Sequence, residues 1–207
     1  MLKFFAALAL GFLMINAAAA QTVTLLALGD SLTAGYGLQP SDAFPVKLEA
    51  ALIARGHDVK VINGGIAGDT ALDGASRVDW ALSEEVDAVI VEFGANDALR
   101  GLPVPQAEQA LDQLLGKLAE RKLPVLLAGM RAPPNLGPDY QAAFDGMYPR
   151  LAEKHGILLY PFFLDGVAAE TKLNQADGMH PNPAGVDVIV SRILPGVERL
   201  LEQVAAK

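Results

Sequence analysis

Cysteine is absent from the 207-residue sequence, and charged residues make up only 19% of it. A chain without cysteine has no disulfide, no thiolate metal site, no thiol nucleophile and no lipidated cysteine anchor. Its stability must come from its core, which is feasible because 52% of its residues are apolar and the chain is long enough to bury them. Linker-like and low-complexity stretches are also missing, so we expect one folded domain.

The only long apolar run lies at the N-terminus, "MLKFFAALALGFLMINAAAA". It has one positive charge, Lys3, then an apolar stretch, then small residues. This pattern predicts a secretory signal peptide over residues 1–20, cleaved after Ala20. A retained membrane anchor is the alternative, but the segment is near the lower limit for a span and ends in alanines. We therefore expect a periplasmic or secreted domain over residues 21–207, without stable membrane insertion.

Positive charge is scarce in the predicted mature chain. Removal of Lys3 leaves 15 basic and 24 acidic residues, a net charge of −9. Such a protein should not bind nucleic acid or anionic lipid surfaces through bulk electrostatics.

Short apolar, β-branched runs alternate with helical patterns along the chain. Near-continuous apolar runs are typical of parallel strands that are covered on both faces. Leucines from Leu111 to Leu118 recur at helix spacing, and Gly56 and Gly156 stand where helices should end. The alternation predicts an α/β layer sandwich with a parallel sheet. The five predicted strands are 23–28, 59–63, 88–93, 124–129 and 157–162.

Unusual polar residues follow these runs, where the carboxyl ends of parallel strands bind ligands. "GDS" with Ser31 follows the first run, and a segment containing His180 follows the fifth. An ordinary turn explains "GDS" equally well at this point. His57 and His155 lie between a helix end and a strand start, on the opposite edge, so only His180 can serve Ser31 as a base.

Asp177 and His180 are three residues apart. On a helical turn this spacing lets the carboxylate accept a hydrogen bond from the imidazole, whose other nitrogen can then take a proton from a serine. Asn182 is expected to cap a following helix with Pro183 in its first turn. Simple capping by the aspartate and histidine remains an alternative.

A serine nucleophile also needs hydrogen-bond donors for the oxyanion that develops on the substrate. Gly68 can bring its backbone N–H close to a substrate, Asn96 can offer its side-chain amide, and Ser31 its own N–H. On its own, Gly68 is better explained as an ordinary turn glycine.

Four blocks together resemble the SGNH, or GDSL, hydrolase superfamily: "GDSLTAGYG", "GGIAGDT", "FGANDALRG" and "DGMHPN". The likeness runs from about residue 23 to 200 and is greatest to the periplasmic multifunctional thioesterase, lysophospholipase and arylesterase group. It implies a flavodoxin-like three-layer α/β/α fold with five parallel strands. It also implies a catalytic triad of Ser31, His180 and Asp177, an oxyanion hole of Ser31, Gly68 and Asn96, and no metal or cofactor. The G-x-S-x-G elbow of α/β-hydrolases is missing, since Thr33 replaces its second glycine.

The resemblance implies that the chain is a serine esterase acting on small acyl esters, thioesters or lysophospholipids. A carbohydrate O-acetyl esterase and a non-catalytic lipid-binding protein are the alternatives. A metallophosphatase using Asp30, Asp69 and Asp97 is disfavoured, because only one histidine lies at that edge. The apolar residues that we expect to line the acyl site, with core packing as the alternative, are Leu99, Leu102, Leu136, Tyr140 and Phe144.

Overall fold

A computed structural model of the protein describes residues 22–83 and 85–206. The predicted signal peptide lies outside these residues. The described chain forms one five-stranded sheet in the order β2-β1-β3-β4-β5, and every neighbouring pair is parallel. Its strands are β1 (Val23–Gly29), β2 (Val59–Gly65), β3 (Ala88–Glu92), β4 (Val125–Ala128) and β5 (Leu158–Tyr160).

Helices connect these strands and cover both faces of the sheet. They are α1 (Ser31–Ala34), α2 (Phe44–Ala54), α3 (Ala71–Ala81), α4 (Ala95–Leu99), α5 (Val104–Glu120), α6 (Pro138–His155) and α7 (Pro183–Ala205). Helices α2 and α7 pack together, whereas α5 packs between α3 and α6. The helices that form these two layers shield the sheet from water, so β1, β3 and β4 are almost wholly buried. The predicted three-layer α/β/α fold is confirmed.

Strand ends differ from the predicted ones, and local contacts explain the difference for β5 and β2. The fifth strand ends at Tyr160 rather than at residue 162, because Pro161 has no N–H to continue the ladder. The second strand runs two residues further than predicted, because Gly65 pairs with Gly29 at the end of β1.

The strand order places the end of β1 at a topological switch point. The chain leaves β1 towards β2 on one side and returns to β3 on the other. In open α/β sheets, ligands bind outside the carboxyl ends of the strands at such a crevice. Ser31, which follows β1, therefore lies where a site is expected. Within the described residues, no helix is both long and apolar enough to cross a membrane.

Candidate active site

Ser31 lies in a tight turn, residues 29–34, which we call the nucleophile turn. Asp30 caps α1, since its Oδ1 accepts a hydrogen bond from the Leu32 N–H at 2.9 Å. Gly29 has no room for a side chain, because a Cβ there would collide with Thr33 Oγ1 and the Glu92 carboxyl. Ser31 is the first residue of α1 and remains partly exposed, so its hydroxyl is accessible from solvent.

His180 lies in a second turn, residues 175–182, which we call the histidine turn. Asp177 Oδ1 accepts from the N–H groups of Met179 at 2.9 Å and His180 at 3.0 Å. Its Oδ2 contacts His180 Nδ1 at 2.7 Å. These N–H donors, with the imidazole, lower the pKa of Asp177 to about 2.

The histidine turn corrects one sequence expectation and confirms another. Asp177 and His180 do not share a helical turn; the aspartate side chain closes the turn through backbone N–H groups instead. The helix begins only at Pro183, where Asn182 caps it by accepting from the Gly185 N–H at 3.0 Å, as predicted.

The two turns meet at one hydrogen bond. His180 Nε2 lies 3.0 Å from Ser31 Oγ. With Nδ1 donating to the ionised Asp177, Nε2 carries the lone pair and can accept the serine proton. The geometry is that of a serine, a general base and a carboxylate that orients the base.

Gln175 links the histidine turn to the segment that follows the nucleophile turn. Its side-chain amide donates to the carbonyls of Tyr36 at 2.8 Å and Pro181 at 3.0 Å. The Tyr36 ring in turn lies against the His180 imidazole, with centroids 4.7 Å apart. A side chain at Gly37 would collide with the Gln175 amide, so glycine leaves room for this contact.

Gly68 presents its backbone towards the same edge. Its φ of +89° is a conformation that favours glycine, and Arg100 Nη2 holds its carbonyl at 2.8 Å. Within the described part of the chain, the N–H groups of Ser31 and Gly68 have no acceptor.

The Asn96 amide is engaged within the protein. Its Nδ2 donates to Asp30 Oδ2 at 3.0 Å and to the Asp69 carbonyl at 2.9 Å. Asn96 therefore links the nucleophile turn to the loop after β2. Its amide is the group that the sequence predicts as an oxyanion donor.

The acidic residues considered for a metal each have a protein donor. Arg77 binds Asp69 Oδ2 through Nε at 2.6 Å. Asp97 Oδ2 accepts from the Ala71 N–H at 2.9 Å, and burial raises the pKa of Asp97. Asp30 accepts from the Leu32 N–H and the Asn96 amide. All three carboxyls therefore hold the loops of the site together.

The other two histidines pair with carboxylates remote from Ser31. His57 Nε2 lies 3.4 Å from Glu198 Oε1, and His155 Nε2 lies 2.8 Å from Asp112 Oδ1. His57 joins the loop before β2 to α7, and His155, the last residue of α6, joins that helix to α5.

The expected acyl-site residues differ in exposure: one is buried, three are half-buried and one is exposed. Phe144 is fully buried in the core with its ring against Tyr148, which favours the core-packing alternative for this residue. Tyr140 stacks on that ring and its hydroxyl donates to the Leu102 carbonyl at 2.8 Å. Leu102 and Leu136 are half-buried, whereas Leu99 is 58% exposed close to Asn96.

Sequence reasoning missed Gln175 and Glu92. Gln175 lies just before the Asp177 motif, but nothing in the sequence shows its partner at Tyr36. Glu92 has a visible signal: it is the only charged residue in the run "AVIVEF" of residues 88–93. In the structure it is buried beside Asp30 and accepts from Thr33 Oγ1 at 2.8 Å.

The chain belongs to the GDSL-like lipase/acylhydrolase family, whose model matches residues 27–188. It is 39% identical over 190 residues to the esterase TesA of Pseudomonas aeruginosa, covering 91% of this chain and 94% of that protein. It is 40% identical over 165 residues to the thioesterase 1/protease 1/lysophospholipase L1 of Escherichia coli K12, covering 79% and 78%. The crystal structure of AlinE4, an SGNH-hydrolase family esterase, superposes with a TM-score of 0.75 at 46% identity, covering 88% and 98%.

Proposed function

We propose that this protein is a serine esterase that hydrolyses carboxylic esters or thioesters through an acyl-enzyme on Ser31. The observation that carries the proposal is the unbroken hydrogen-bond chain from Asp177 Oδ2 through the imidazole of His180 to Ser31 Oγ, with steps of 2.7 Å and 3.0 Å. The catalytic carboxylate is ionised at neutral pH, because the N–H groups around it lower its pKa to about 2.

In the first step, Ser31 Oγ attacks the carbonyl carbon of the substrate while His180 Nε2 takes its proton. The carbonyl oxygen becomes an oxyanion that accepts from the Ser31 and Gly68 N–H groups. When the tetrahedral intermediate collapses, His180 returns the proton to the leaving oxygen or sulfur, and the acyl group stays on Ser31. Water then attacks the acyl-enzyme with His180 again as base, which releases the carboxylic acid and restores the serine.

Asn96 is the third oxyanion donor in this proposal. Since both of its amide hydrogens have acceptors, it would share with the substrate the one that binds the Asp69 carbonyl. Its bond to Asp30 would keep the amide in place during this exchange. A preorganised donor of this kind stabilises charge that develops only in the transition state.

The side chains around the site favour an apolar acyl group. Exposed apolar residues immediately flank the proposed machinery: Ile66 near Gly68, Leu99 near Asn96 and Met179 next to His180 are 42%, 58% and 49% exposed. Exposed apolar residues gathered at one place commonly mark a binding surface. We therefore place acyl, aryl and lysophospholipid esters ahead of short polar esters. The net negative charge gives no attraction to polyanionic leaving groups such as coenzyme A.

We also propose that the protein is exported, with residues 1–20 removed as a signal peptide and residues 21–207 forming the hydrolase domain. The charge and apolar pattern of the N-terminus supports this part of the proposal. Mass measurement of the mature protein from an exporting host tests it: an N-terminus at Gln21 is expected, and retention of residues 1–20 would contradict it.

A chain-length series of p-nitrophenyl esters, from acetyl to hexadecanoyl, tests the substrate class. We expect kcat/KM to rise from acetyl to octanoyl, and no turnover above background in Ser31→Ala. A steep preference for acetyl would instead favour the carbohydrate O-acetyl esterase. Absence of Ser31-dependent turnover on every ester would favour a non-catalytic lipid-binding protein.

A further inference from the structure

Two carboxyl groups are buried together next to the nucleophile turn. Asp30 is 0% exposed and Glu92 is 1% exposed. Glu92 ends β3 and pairs laterally with Gly29 of β1, so the parallel register brings it beside Asp30, the next residue of the chain. The reaction proposed for Ser31 uses neither group as acid or base. Buried carboxyl groups are costly unless they are hydrogen-bonded or neutral, so the pair requires an explanation.

The hydrogen bonds of the pair leave one oxygen without a donor. Asp30 accepts twice, from the Leu32 N–H and the Asn96 amide, at 2.9 Å and 3.0 Å. Glu92 Oε2 accepts from Thr33 Oγ1 at 2.8 Å, whereas Oε1 has no partner among the described groups that can donate. Asp30 lies within hydrogen-bonding reach of Glu92 through both its backbone N–H and its carboxyl. Two ionised carboxylates cannot bond to one another, so a hydrogen bond between the two carboxyls requires a proton on one of them.

We propose that Glu92 is a positioning residue that acts as an un-ionised acid, donating a hydrogen bond from Oε1 to the Asp30 carboxylate. This inference rests on the proposed esterase function. Asp30, held in this way, fixes two parts of the machinery at once: the Leu32 N–H at the start of the nucleophile helix, and the Asn96 amide. Glu92 therefore acts on catalysis through Asp30 and does not touch the substrate.

The environment of the pair favours the neutral form of Glu92. Burial raises the pKa of Glu92 well above its usual range, and the nearby Asp30 charge raises it further. Burial also raises the pKa of Asp30 to about 6, against the Leu32 N–H, the nearby His180 and the Asn96 amide, which lower it. Two adjacent carboxyls commonly hold one proton between them over a wide pH range. The other ionisable groups facing the pair are Tyr148 from α6, Asp97 from α4, Asp69 and Arg77 from the β2–α3 region, and His180.

The decisive variants are Glu92→Gln and Glu92→Leu. A glutamine reproduces the un-ionised acid, because its carbonyl can accept from Thr33 while its NH2 group donates to Asp30. We expect Glu92→Gln to keep kcat within about 3-fold of the parent at pH 7. We expect Glu92→Leu, which has no donor for Asp30, to lower kcat about 10-fold or more with little change in KM.

The pH profile separates this role from simple packing. As the pH rises through the raised pKa of Glu92, the parent should lose kcat because Glu92 ionises and repels Asp30, whereas Glu92→Gln should keep its kcat. Glu49→Gln is the matched control, since the Glu49 carboxylate accepts from the Val61 N–H at 2.7 Å on another part of the sheet. It should follow the parent profile at every pH.

Infrared spectra of the parent and of Glu92→Gln, compared at pH 7, detect the un-ionised carboxyl group directly. This test does not require Glu92→Leu to fold. The parent should have the carbonyl stretch of an un-ionised carboxylic acid, and Glu92→Gln should lack it. A band that persists in Glu92→Gln would put the proton on Asp30 and overturn the proposal. So would the lack of any such band in the parent, or a Glu92→Gln enzyme as impaired as Glu92→Leu. Failure of the esterase function itself would look different: no Ser31-dependent turnover of any ester in the parent, whatever the state of Glu92.

Discussion

The nucleophile turn and the histidine turn meet at one hydrogen bond but are held by different kinds of contact. In the nucleophile turn, Asp30 and Thr33 are buried and bond to residues far along the chain, Asn96 and Glu92. In the histidine turn, Asp177 is partly exposed and bonds to residues two and three positions away. One half of the site is therefore fixed by the sheet and the other by its own local turn.

The two turns also shift the pKa of a carboxyl group in opposite directions. Burial raises the pKa of Asp30 to about 6. Backbone N–H donors lower the pKa of Asp177 to about 2. A solvent-accessible turn can stabilise a full negative charge with a few donors, whereas a buried turn favours a shared proton. The charge that orients His180 is therefore kept separate from the acid that holds the nucleophile turn.

The largest expected effect comes from removing one reacting side chain from either turn. Ser31→Ala and His180→Ala should each lower kcat by about 10³-fold or more, because nucleophile and base act as one unit. For the same reason the double variant should be little worse than either single one. Steady-state kinetics on an octanoyl ester measures all three. Near-normal turnover in either single variant would mean that the turns do not act together.

Asn96 bonds to Asp30 of the nucleophile turn and to the loop after β2. Its loss should have the next largest effect. Asn96→Ala should lower kcat about 100-fold, as for one oxyanion donor, with a much smaller change in KM. The same kinetic assay measures this. A loss confined to KM would assign Asn96 to ground-state binding and remove it from the oxyanion hole.

Gln175 links the histidine turn to Tyr36, two residues beyond the nucleophile turn, so changing it tests how far the histidine turn is self-sufficient. Gln175→Glu replaces the amide donor with a carboxylate oxygen facing two carbonyls, and should lower kcat about 10-fold through misalignment of His180 with Ser31. Gln141→Glu is the matched control, since that amide also donates to a backbone carbonyl, Ala132, at 3.2 Å. It should keep the parent kcat. Equal losses in both variants would show that Gln175 acts on folding alone.

The smallest effect is on stability, and its sign should differ between the turns. The pKa of Asp177 falls from 3.8 to about 2 on folding, so its contribution is present above pH 4 and lost as the pH falls through 2. The pKa of Glu92 is raised well above 4.5, so its contribution is present below that pH and lost as the pH rises through the folded value.

Melting temperatures measured across this pH range for the parent, Asp177→Asn and Glu92→Gln test both signs. The deficit of Asp177→Asn should shrink towards pH 2, and Glu92→Gln should gain on the parent as the pH rises above neutral. The opposite trend in either variant would mean that its carboxyl has been assigned the wrong charge state in the folded protein.

The same contrast explains what could be predicted from the sequence. The Asp177–His180 pair is visible as a spacing of three, because its contacts are local, although the kind of turn was predicted wrongly. The parallel sheet was also predictable, since its buried strands are near-continuous apolar runs. The partnership of Glu92 with Asp30 was not, because it depends on the register that sets Gly29 beside Glu92. Burial of Phe144 could not be predicted for a related reason: helix spacing marks an apolar face without saying which way it points.

Covalent labelling with a fluorophosphonate, followed by peptide mass spectrometry, tests directly whether Ser31 is the nucleophile. If Ser31 is a nucleophile activated by His180, the parent should gain one adduct, located on Ser31. Labelling should be much slower in His180→Ala and absent in Ser31→Ala. An adduct on another residue, or undiminished labelling of Ser31→Ala, would show that Ser31 is not the nucleophile.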